Sequence, residues 1–176
     1  MGLAACTGTT TGNGSPFPSA TTGAQPSATG SGGGQGGTTS DSGTRSGGSW
    51  IADTKPCSLL SSAEVTSLSL QAPGSADNIG SAPSCEWTGS AGVLTVSLRA
   101  SQGLAQVQPG GGTVSDTTVS GRAAKKVSYS SGDCLIALPV TDSSRVDVTG
   151  SFSDSATSCT QILAAAELIE PKLPTS

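Results

Sequence analysis

The chain has 176 residues, a formal charge of −4, no histidine, and only 11% charged and 3% aromatic side chains. An acidic balance, with a pI near 4.5, excludes a surface built for nucleic acid or anionic lipid, because such surfaces need clustered Lys and Arg. Without histidine, Ser-His-Asp and Cys-His nucleophile systems and imidazole metal ligation are excluded as well.

The chain opens Met1-Gly2-Leu3-Ala4-Ala5-Cys6, and Leu3-Ala4-Ala5-Cys6 resembles the lipobox that bacterial lipoprotein signal peptidase cuts before cysteine. The resemblance implies that residues 1–6 are the remnant of a lipoprotein signal peptide. It also implies a diacylglyceryl group on the Cys6 thiol, with palmitate-type chains and Cys6 as the first residue of the mature protein. Two acyl chains anchor a protein stably where one does not. Five residues are too few for the apolar region of a signal peptide, which runs to about 7–15 residues, so the export signal is expected to begin upstream of Met1. No stretch of about 18 apolar residues is present, so the expected anchor is lipid alone.

Residues 7–49 read as a tether. Gly, Ser, Thr and Pro fill 34 of these 43 positions, and the few apolar side chains cannot offset the entropy of folding. A Gly/Ser-rich coil of this length spans about 35 Å. Its Asp41 and Arg45 cancel in charge.

From residue 50 to 176 the apolar residues become periodic and a domain is expected. Ser61 and Glu64 have the spacing of a capping box, predicting a short helix from Ser62 to Leu68. Strands are predicted at Ser84–Thr88 and Gly92–Ala100, where Leu94, Val96 and Leu98 alternate onto one face. A turn is expected at Pro109–Gly112. Further strands follow at Thr117–Gly121, Ala124–Tyr129, Asp133–Val140 and Arg145–Phe152, the last two joined by a turn at Thr141–Ser144. Cys159, Ile162, Leu163, Ala166 and Ile169 recur at helical spacing between Ala156 and Glu170, and Pro171 stops that helix. The expected fold is α+β: one antiparallel sheet of five or six strands, a helix at each end of the domain packed on one face, and two disulfides.

Setting Cys6 aside leaves Cys57, Cys85, Cys134 and Cys159, an even set. Lacking histidine and any Cys-x-x-Cys pair, they suit disulfides rather than zinc. Three pairings can be drawn; Cys57 with Cys85 and Cys134 with Cys159 closes the shortest loops. Such a framework belongs outside the reducing cytoplasm.

Pro56-Cys57-Ser58-Leu59-Leu60, then Cys85-Glu86-Trp87, then the later cysteine pair with its Ala-rich helix, resemble a family of actinobacterial lipoproteins known only as a domain of unknown function. The resemblance implies an exported, membrane-anchored domain and no particular chemistry.

Asp133, Asp142, Asp147 and Asp154 fall at hairpin ends or outward positions and are expected on a solvated surface. Arg122, Lys125 and Lys126 form a basic cluster read as a solvated strand end that could also meet an anionic ligand. Trp87 is expected in the core beside Cys85, while Trp50 marks the domain edge, with core packing or sugar stacking both open. No metal, cofactor or catalytic residue is expected. The expected function is a non-enzymatic binding or sensing module on the extracytoplasmic face of the cell membrane. It is expected to be monomeric, held by the lipid on Cys6, and directed to an envelope ligand or protein rather than nucleic acid. The alternatives are a structural subunit of an envelope complex and a cell-wall hydrolase using two carboxylates about 5–9.5 Å apart.

Overall fold

A computed structural model of the chain describes residues 47–175. Cys6, the lipobox and the tether up to residue 46 lie outside the described residues. Three helices, α1 (Gly47–Asp53), α2 (Ser62–Ser67) and α3 (Ser155–Ile169), accompany seven strands. The strands are β1 (Ser75–Ile79), β2 (Ala82–Gly89), β3 (Gly92–Arg99), β4 (Thr113–Val119), β5 (Arg122–Ser128), β6 (Cys134–Thr141) and β7 (Ser144–Phe152). All seven form one antiparallel sheet in the order β1-β2-β3-β7-β6-β5-β4.

The sheet therefore has seven strands, not five or six. The additional strand is β1, whose five residues Ser-Ala-Asp-Asn-Ile are all exposed. An edge strand buried on neither face carries no alternation, and periodicity cannot reveal it. A second departure is α1, which begins in residues 47–49 of the stretch read as tether and buries Ile51. Trp50 packs part-buried against the core.

Alternate residues of a strand share a face, and the register aligns Cys85 and Trp87 with Val96 and Leu94, and these with Val148 and Gly150. Ile136 and Leu138 continue the apolar face on β6. Leu94, Val96, Leu98, Val146, Val148 and Leu138 are buried to 1% exposure or less. Ile162, Ala165, Ala166 and Ile169 of α3 are equally dry, and α3 lies along β6 and β7.

Both disulfides leave the sheet from this apolar face. Cys57 is joined to Cys85 and Cys134 to Cys159, with Cα separations of 5.0 and 5.1 Å. The first ties the segment ahead of α2 to β2; the second ties α3 to β6. Trp87 is 2% exposed, as expected of a core ring. A Cβ at Gly74 would stand 2.5 Å from Trp87 Nε1 and 2.6 Å from Cys85 Sγ, so only glycine lets the chain cross over ring and disulfide together.

The capping box at α2 is complete. Glu64 N–H donates to Ser61 Oγ, and Ser61 N–H donates to Glu64 Oε2 at 2.7 Å. The same carboxylate receives Lys172 Nζ at 2.7 Å, and Lys172 also donates to the Leu59 carbonyl. One ammonium thus fastens the C-terminal segment to the first turn of α2. Burial pushes the Glu64 carboxyl upward in pKa, but the hydrogen bonds from Lys172 and Ser61 outweigh it and hold the group below its ordinary value.

A depressed carboxyl stabilises the fold at pH values above its unfolded pKa and ceases to do so as pH falls through the folded one. Lys172→Met is therefore expected to lower Tm at pH 7 by a few degrees, in line with about 1 kcal/mol or less for a partly exposed pair. The gap to the unsubstituted protein should shrink at pH 3, as thermal unfolding at the two pH values would read.

Candidate functional site

The face of the sheet opposite the helices is unusual in what it buries. Pairing in register carries one rung across all seven strands: Asp77, Ser84, Ser97, Asp147, Ala137, Lys125 and Asp116. Ser84, Ser97 and Asp147 are each 2% exposed. Ser84 Oγ donates to Ser97 Oγ at 2.9 Å, and Lys125 Nζ reaches Asp116 Oδ1 at 2.6 Å.

Two residues further along β3 and β7, on the same face, Arg99 stands directly opposite Arg145. Facing like charges destabilise a strand pair. Here Asp147 lies between them. Arg145 Nε donates to Asp147 Oδ1 at 2.6 Å and its Nη2 to Oδ2 at 3.1 Å, while Arg99 Nε donates to Oδ2 at 3.1 Å. The Arg145 and Asp147 side chains are 7% and 3% exposed, whereas that of Arg99 is 25% exposed.

Asp147 is therefore not the solvated surface residue that its nearness to a turn suggests. Arg145 and Asp147 alternate along β7 with the core residues Val146 and Val148, so the period of two places both on the opposite face, where the β3–β4 connection meets Arg145. That connection must pass β7, β6 and β5 to reach the far edge. Arg145 Nη1 fixes its start by donating to the carbonyls of Gln102 and Gly103 at 3.1 and 2.9 Å. Gly103 is essential to the approach, because a Cβ there would overlap the Asp142 carbonyl oxygen.

The other expected surface carboxylates stay outside. Asp142 occupies the β6–β7 turn and Asp154 precedes α3, both exposed, and Asp133 is half-buried beside Cys134. Hydrogen bonds from Ser151 and then Ser131 hold the Asp133 carboxyl below its ordinary pKa.

The basic cluster is not a cluster. Arg122 Nε is held by Glu170 Oε1 at 2.9 Å, Lys125 by Asp116, and Lys126 projects from the opposite face to Lys125, beside Thr117, Ile136 and Leu163. Sequence reasoning overlooked Arg99 and Arg145 because their meeting at Asp147 arises only from the pairing of β3 with β7. The usable signal was the alternation Arg145-x-Asp147 within a strand whose intervening residues are valines.

Arg99 opens onto a depression of about 140 Å³ lined by Ser81, Pro83, Leu98, Ala100, Ser101 and Gln102. Among the described residues no three His, Cys, Asp or Glu side chains gather as a metal would require, and no helix is long and apolar enough to cross a membrane.

Replacing Asp147 by Asn leaves two guanidiniums facing each other with no counter-charge. The cost expected is about 3–5 kcal/mol, read as a lower urea midpoint at unchanged m. Arg99→Gln, with both Asp147 oxygens still occupied by Arg145, should cost about 1 kcal/mol or less.

A family model described as "Protein of unknown function (DUF3558)" matches residues 1–172. No curated protein and no solved structure matches the chain.

Proposed function

The chain belongs to the DUF3558 family of proteins of unknown function, and we propose that it is a lipid-anchored extracytoplasmic module that binds an envelope ligand without transforming it. The observation that carries this reading is the pair of disulfides, Cys57–Cys85 and Cys134–Cys159. Two bridges within one small domain fit an oxidising compartment, outside the cytoplasm. The family match begins at residue 1 and so takes in both Leu3–Cys6 and the low-complexity stretch, which supports reading them as anchor signal and tether rather than as foreign sequence. A tether confines the domain near the membrane and raises its effective concentration toward envelope partners.

Glu64, Asp116, Asp147 and Glu170 are each ion-paired with a Lys or Arg, so these four are engaged in holding the fold rather than standing free as the two-carboxylate chemistry of glycoside cleavage requires.

Expression of the natural gene in an actinobacterial host, followed by intact-mass measurement before and after thiol alkylation, tests the location. The expected result is a diacylated N-terminal Cys6 and four further thiols that react only after reduction. An unmodified Cys6, with the other thiols reactive without reductant, would contradict it.

A further inference from the structure

We propose that Arg99 is the recognition residue of an oxyanion site, and that the ligand of this domain presents a carboxylate or phosphate group there. The proposal deepens the binding reading above by naming the chemistry of the ligand, and rests on it only for the ligand's source in the envelope.

Charge is the first argument. Two guanidiniums share one carboxylate, so the Arg99–Asp147–Arg145 group carries a surplus of one positive charge. Arg145 is closed off: four of its N–H bonds go to Asp147 and to the carbonyls of Gln102 and Gly103. The surplus is therefore available only at Arg99, the more exposed member.

Donor geometry is the second. A guanidinium has five N–H bonds and no acceptor. Arg99 spends Nε–H on Asp147 and one Nη1–H on the Ile79 carbonyl at 3.4 Å. Three N–H bonds remain without a partner among the described residues. Two are on Nη2 and one on Nη1, and terminal nitrogens of this kind can engage both oxygens of a carboxylate or phosphate. Asp147 holds the guanidinium through Nε, so little side-chain freedom is lost on binding.

The surroundings supply the third. Ser81, Ser101 and Gln102 rim the depression, and all three are exposed side chains able to donate to an oxyanion. At about 140 Å³ the space takes one anionic group, well short of the roughly 300–1,000 Å³ of a pocket for a drug-sized molecule. The rest of the ligand would lie outside. Because the whole chain carries −4, long-range attraction does not favour anions, and any binding must come from local contacts.

Titrations of the isotope-labelled full chain, followed by amide chemical shifts, test the proposal with three probes: sodium phosphate, sodium acetate, and phosphatidylglycerol vesicles set against phosphatidylcholine vesicles. Saturable shifts at Ser81 and residues 100–102 are expected, weakened at least tenfold in Arg99→Gln. Ser101→Glu, which places a carboxylate at the exposed rim without touching the buried network, should weaken binding similarly and serves if Arg99→Gln folds poorly. Shifts with the free ions identify a soluble or polymer-borne anion; Arg99-dependent shifts with phosphatidylglycerol vesicles alone identify a lipid headgroup. No saturable shift with any probe, or shifts unchanged in both variants, would overturn the proposal.

Discussion

One sheet exists here because β3 pairs with β7. Residues β1–β3 and β4–β7 are each a meander of neighbours in sequence, and only the eight-residue register from Gly92↔Phe152 to Arg99↔Arg145 joins them. Its two faces are stabilised by different physics. On one, Leu94, Val96 and Leu98 meet Val146 and Val148 under α3 and exclude water. On the other, Asp147 and the two arginines form an ionic group centred on the buried carboxylate, whose removal would leave the buried Arg145 without its counter-charge.

That junction also dictates the longest connection between strands among the described residues. With β7 occupying the place beside β3, the chain must cross three strands to begin β4. The same Arg145 that neutralises Asp147 pins the start of this crossing through two backbone carbonyls. Fold and candidate site thus share residues: the network that secures the junction presents Arg99 at its rim. The disulfides act on the apolar face, where each fixes a helix-bearing segment to a strand.

Much of this was legible in the sequence where local chemistry speaks clearly. The Ser61/Glu64 spacing gave a complete capping box and α2 to within a residue. The alternation at 93–98 gave β3, the Thr141–Ser144 turn gave the β6–β7 hairpin, and loop length gave the correct cysteine pairing. What escaped lacked such a signal. β1 is polar and exposed throughout, and α1 starts on two glycines with only Trp50 and Ile51 to mark it. β4 begins at Thr113 rather than Thr117, because Thr-Val-Ser-Asp on an edge strand buries too little to alternate. Asp147 was misplaced because its burial depends on Arg99 and Arg145, one of them 48 residues away, a pairing that only strand order creates.

Native-state amide hydrogen exchange across the sheet tests the β3–β7 junction most directly. If the junction makes the two meanders one cooperative unit, protected amides of β2, β3, β6 and β7 will share a single opening free energy equal to that of global unfolding. If the β1–β3 amides exchange at a distinctly lower free energy than those of β5–β7, the meanders open separately, and the junction is not what unites the fold.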